Sequence, residues 1–146
     1  MGTRSLTRFL DSDMKPFVAI YQQFDGYPSG VGADIKKCLG SKKMVNGYND
    51  ASKEINGINS AVAMFIAQQA SATETGGVYI YHPDDEDNFQ EYNYDIYLVG
   101  ADKDTSVWKS NQGMLALKVY RGRNPNTFIY VGLLDDFDPD MDESRL

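Results

Sequence analysis

The feature that most constrains this chain is where its two kinds of hydrophobic pattern fall. Alternating runs rich in aromatic and β-branched residues occupy both ends, and helical spacing occurs only between them. Residues 3–10 and 16–24 read as strands split by the turn signal Asp11, Ser12 and Asp13, and they predict a hairpin. A short helix is expected after the turn Asp25-Gly26-Tyr27-Pro28-Ser29-Gly30, capped by Ser29 or Gly30 and ended by Gly40. A longer helix is expected from about Ser52 to Ala70, because Ile55, Ile58, Val62, Phe65 and Ile66 recur on one face. Strands follow at 78–81 and 91–99, expected to pair with each other, and then a hairpin of 114–120 with 127–134. Strands grouped in this way, rather than alternating with helices, predict an α+β fold. Its sheet is largely antiparallel, with about six strands and two helices between strands 2 and 3.

At 146 residues the chain has the length of one domain. Residues 1–134 are expected to form it, with 135–146 as an acidic tail. Cys38 is the sole cysteine, so no disulfide framework is available within the chain. No apolar run reaches the roughly 20 residues of a membrane helix, and the first residues carry no apolar core of a signal peptide. Leu6 stands where a myristoylation motif needs Ser or Thr. A cytoplasmic location is expected.

The net charge of −7 is unevenly spread. Residues 1–82 hold eight Lys and Arg against seven Asp and Glu, whereas residues 83–146 hold six against fourteen. Two runs concentrate the acidity: Asp84, Asp85, Glu86 and Asp87, with Glu91 behind them, and the run from Asp135, Asp136 and Asp138 to Glu143. Phosphate backbones need clustered Lys and Arg, so the second half is not a direct nucleic-acid surface. It suits a basic protein or nucleoprotein partner, or else serves only solubility.

Other candidate sites are weaker. Tyr79, Tyr81, Tyr92, Tyr94 and Tyr97 crowd two neighbouring strand patterns, fit either for an interface or for cross-strand packing. His82, the only histidine, has too few companions for a zinc site, and Cys38 reads as a packing residue. The acidic repeat from Asp136 to Asp142 lacks the Gly and the final Glu of a calcium loop. No metal or cofactor is expected. The glycine-rich turn offers the alternative site. Gly26, Gly30 and Gly32 ahead of a helix supply backbone N–H groups for an anion, and Arg4 supplies a charge. Arg4, Tyr21, Gln22, Asp25, Tyr27, Ser29 and Gly30 would line a pocket for an anionic nucleotide.

The segment from Gly2 to Thr7, together with Tyr21 to Gly30, Gly32 and the later Gly76-Gly77-Val78-Tyr79-Ile80, resembles a family of small uncharacterised bacterial and bacteriophage proteins. The resemblance implies a phage or mobile-element accessory protein, a class whose members often counter host defences. The leading expectation is a non-catalytic, anti-CRISPR-like inhibitor whose acidic half covers a basic surface of a defence complex. The alternatives are a binder of an anionic nucleotide signal and a small hydrolase using Asp25 or His82 as base.

Overall fold

The computed structural model describes residues 2–46, 52–74, 76–84, 90–99, 113–122 and 127–141. Its elements are β1 (Ser5–Leu10), β2 (Pro16–Gln22), α1 (Ala33–Leu39), β3 (Lys43–Met44), β4 (Glu54–Ile55), α2 (Ile58–Ser71), β5 (Val78–Tyr81), β6 (Tyr92–Leu98), β7 (Leu115–Arg121) and β8 (Phe128–Leu133). A π-helical turn at Pro28–Gly32 leads into α1, and a 3-10 turn at Leu134–Asp136 follows β8. The fold is α+β. Six strands form one sheet in the order β5-β2-β1-β6-β7-β8, and both helices lie in the chain between β2 and β5.

Four of the five pairings in this sheet are antiparallel, and β1 with β6 is the parallel one. That pair corrects an expected connection. Residues 78–81 and 91–99 do not form a hairpin: β5 pairs with β2 at one border, and β6 pairs with β1 in the centre. The placement follows from burial. β6 is buried at Asn93 through Tyr97, as a central strand must be, whereas Tyr79 and Ile80 of β5 are exposed.

One face of the sheet carries the main core. Phe9, Ile20, Tyr94, Ile96, Leu117 and Val119 pack there against Ile35 and Leu39 of α1 and Val62 and Phe65 of α2. α2 begins at Ile58, later than its apolar spacing suggested. Gly57 ahead of it has φ +89°, a left-handed conformation open to glycine, and Ile55 belongs to β4. The opposite face holds smaller groups, one of Leu6, Ala19 and Tyr21 and one of Leu10, Tyr97, Val99 and Ala116.

The acidic C-terminal stretch is not a free tail where it is described. Phe137 is fully buried, packs on the Tyr130 ring at 5.1 Å and lies against Gly32, while its carbonyl accepts the Lys36 Nζ at 2.5 Å. Asp135 Oδ1 accepts the Ser41 N–H at 2.5 Å. A tail boundary at 135 therefore cuts through the core. The buried Phe137 ring and these hydrogen bonds together dock the segment despite its acidic neighbours.

Candidate functional site

The sequence-derived partner residues do not form a single cluster. Asp84 is exposed just past the end of β5, at one border of the sheet. Asp135 and Asp136 follow β8, at the other border. Five strand spacings of about 4.8 Å separate these borders, roughly 24 Å. Glu91 precedes β6 in the centre, at the opposite strand end from Asp84. Asp138 is exposed and caps the Asp140 N–H at 3.0 Å. Asp85, Glu86 and Asp87 lie outside the described residues.

The tyrosines divide between the two faces. Tyr94 lies in the main core and donates to the Gly26 carbonyl at 2.6 Å, with Tyr92 packed against that core. Tyr79 and Tyr81 pair instead with Tyr21 on the opposite face, Tyr21 and Tyr81 stacking at 5.3 Å. Tyr79 and Tyr81 are thus neighbours of Tyr21 across the β2–β5 pair, and Tyr21 and Tyr81 pack with Leu6 and Ala19.

Of the nucleotide candidates, the turn is built for itself rather than for an anion. The Gly26 N–H donates to the Thr3 carbonyl, Gly30 N–H to Tyr27, and Val31 N–H to Asp25. These backbone donors are consumed within the turn. A Cβ on Gly30 would overlap the Asp25 carbonyl. Asp25 itself has φ +57°, a conformation that Asp tolerates better than most residues. Its carboxylate accepts the Tyr27 hydroxyl at 3.1 Å and holds that phenol above its ordinary value. Ser29 is exposed on the turn. Arg4 gives its carbonyl to the Glu91 and Tyr92 N–H groups, and its Nε is buried with no hydrogen-bond partner. Tyr21 and Gln22 are adjacent in β2 and face opposite ways, so the seven candidates do not line one pocket.

A cleft of about 240 Å³ does open beside this turn, lined by Gln22, Phe24, Asp25, Gln69, Thr73 and Gly77 among others. It lies where β2 ends, α2 ends and β5 begins. Among the described residues its lining includes Asp25 and neither Lys nor Arg, which does not suit an anion.

The other candidates read plainly. His82 is exposed, and its Nδ1 accepts the Asp84 N–H at 3.2 Å. Cys38 is buried in the core, and that burial pushes its thiol pKa up, as suits a packing residue. Among the described residues, no three His, Cys, Asp or Glu side chains gather to hold a metal ion.

The charged cluster that sequence reasoning missed is Arg8, Asp95 and Tyr120 on three adjacent strands. Arg8 forks onto both Asp95 oxygens at 3.0 Å each and reaches the Tyr120 hydroxyl at 2.5 Å. Burial, then the Asp95 charge, raises the Tyr120 pKa strongly. The signal in sequence was a lone Arg and a lone Asp inside strand patterns, and only the parallel register of β1 on β6 brings them together. Comparison with protein-family models, curated proteins and solved structures gave no match.

Proposed function

We propose that this chain is a non-catalytic binding protein that takes an extended, basic segment of a partner protein along β5. The observation that carries it is the state of that border strand. The Gln23 N–H donates to Gly77 O, and the strand register alternates from there. Val78 and Ile80 therefore turn their backbone N–H and C=O groups away from β2. Ile80 is 66% exposed and Tyr79 41% exposed on the same strand. An outer strand with apolar side chains is a template for strand addition, and proteins that avoid pairing place Lys or Pro there.

Charge sets the kind of segment. Asp25 and Glu74 are exposed ahead of β5, and Asp84 is exposed behind it, leading into an acidic run in the sequence. A segment alternating apolar with Lys or Arg residues complements both the strand and its flanks. The resemblance to phage proteins supports choosing a host defence complex as the first partner to try, with the bound segment blocking its nucleic-acid channel.

The test compares capture by the wild type with capture by Ile80→Lys and Phe128→Lys, each checked for unchanged thermal stability. Phe128 is also exposed, on the outer strand β8, and serves as control. The reading expects loss of the captured partner in Ile80→Lys and retention in Phe128→Lys. Equal capture by both variants contradicts it.

A further inference from the structure

The two faces of β5 offer an added strand different surfaces. Ile80 stands opposite Ile20 and so lies at the margin of the face that carries the main core. Tyr79 and Tyr81 lie on the other face, opposite Tyr21 and Ala19 of β2. Tyr21 and Tyr81 stack at 5.3 Å with their planes 7° apart. Tyr79 lies 5.9 Å from Tyr21 and 6.1 Å from Tyr81. The three rings form one aromatic surface at the border, and Tyr79 keeps it open to solvent.

Elsewhere in the sheet a tyrosine carries a cation from the neighbouring strand. Arg121 of β7 stands directly opposite Tyr92 of β6, and its guanidinium carbon lies 5.8 Å from the centre of that ring. Lys118 of β7 reaches the Tyr97 ring diagonally, with its Nζ at 5.5 Å. Among the described residues no Lys or Arg lies over Tyr21, Tyr79 or Tyr81. By the same geometry their cation would come from the strand that β5 lacks on its outer side.

We infer, building on strand addition at β5, that the added segment carries Arg or Lys opposite Tyr79 and Tyr81 and apolar residues opposite Val78 and Ile80. Residues directly opposite in a sheet share a face, so a cation meets the rings only from those positions. There the negative face of the ring attracts it. Asp84, exposed just past Tyr81, adds attraction of the same sign. A carboxylate in those positions meets the rings and Asp84 unfavourably, and an apolar side chain forgoes the attraction. The rings thus select a segment in which basic and apolar residues strictly alternate. Acidic flanks alone ask only for basic residues somewhere in it.

The test titrates the full chain with a short peptide of alternating Val and Arg, and with the same peptide carrying citrulline, an uncharged isostere, in place of Arg. Isothermal calorimetry gives the affinities, and amide hydrogen exchange at Val78 and Ile80 shows whether each peptide adds to β5. Both titrations are repeated on Tyr79→Leu, checked for unchanged thermal stability. The acidic flanks favour the Arg peptide equally in both chains, so the change in the Arg-to-citrulline affinity ratio isolates the ring. That ratio is expected to fall about fivefold in Tyr79→Leu, the scale of a cation over an exposed ring, and to survive in Tyr79→Phe, which keeps the ring. If Tyr79→Leu fails to fold, nuclear Overhauser contacts from the peptide Arg side chains to the Tyr79 and Tyr81 rings of the wild type decide the matter, and their absence overturns the inference. A ratio near one in the wild type, or one unchanged in Tyr79→Leu, also overturns it, while protection of Val78 and Ile80 by either peptide leaves strand addition standing. Failure of both peptides to protect Val78 and Ile80 overturns strand addition and this inference with it.

Discussion

Arg8 and Asp95 join the two central strands of the sheet through a paired hydrogen bond. Their side chains are 16% and 10% exposed, so the pair is largely removed from solvent. Removing one partner strands a buried charge, at a cost of about 3–5 kcal/mol. Arg8→Ala and Asp95→Ala are each expected to unfold well below the wild-type temperature, and the double variant to lose less than the sum of the two. Full additivity in that cycle contradicts a coupled pair. Tyr120 gives the same cluster a pH signature. Its pKa is raised in the folded state above the ordinary 10.0, chiefly by burial and then by Asp95. The unfolded chain therefore releases this proton first, and the contribution to stability, fully present below pH 10.0, falls as pH rises from there towards the folded-state value. Denaturation midpoints followed from pH 8 to 11.5 are expected to fall less steeply above pH 10 in Tyr120→Phe than in the wild type. Gly30 is the backbone counterpart. Gly30→Ala forces the Asp25 carbonyl aside, and a loss of about 2 kcal/mol is expected in chemical denaturation.

At the scale of elements, the strands and both helices were legible in the sequence, whereas their pairing and boundaries were legible only in part. β1 with β2 and β7 with β8 were legible because each pair is local and each strand alternates between two faces. β5 and β6 were legible as strands and illegible as neighbours. Nothing in Val78–Tyr81 states that its partner is β2, more than fifty residues earlier; only the burial of the finished sheet decides it. Gln22 and Asp25, singled out from the turn chemistry around them, both line the cleft beside β5. Gln69 was not singled out, because a Gln near the end of a helix looks like a solvated residue until β2 passes beneath it. The C-terminal segment offers the sharpest check of an element that sequence reading set loose. Phe137 has no exposed surface, so Phe137→Ala is expected to cost about 3–5 kcal/mol. Truncation after Leu134 is expected to destabilise at least as much. A truncated chain with an unchanged melting temperature contradicts the docking of this segment.

Both borders of the sheet carry exposed apolar side chains, and the described carboxylates are dispersed rather than gathered. β5 carries exposed Ile80 and Tyr79 with acidic residues before and after it, and β8 carries exposed Phe128 and Val131. The sequence showed how much acid the second half holds, and the fold distributes the described carboxylates to opposite borders and opposite strand ends. Attraction of a basic partner is thus expected to be a long-range, salt-sensitive contribution, with β5 supplying the fixed contact. Asp84→Lys is expected to slow association and weaken its salt dependence while leaving dissociation nearly unchanged, as surface-charge changes at an interface rim do. Surface plasmon resonance at two ionic strengths separates these rates. The most direct test of the central claim is amide hydrogen exchange of the full chain with and without its captured partner. Strand addition predicts that the outward N–H groups of Val78 and Ile80 become protected on binding while those of β8 do not change. Binding that leaves Val78 and Ile80 exchanging as in the free protein contradicts it.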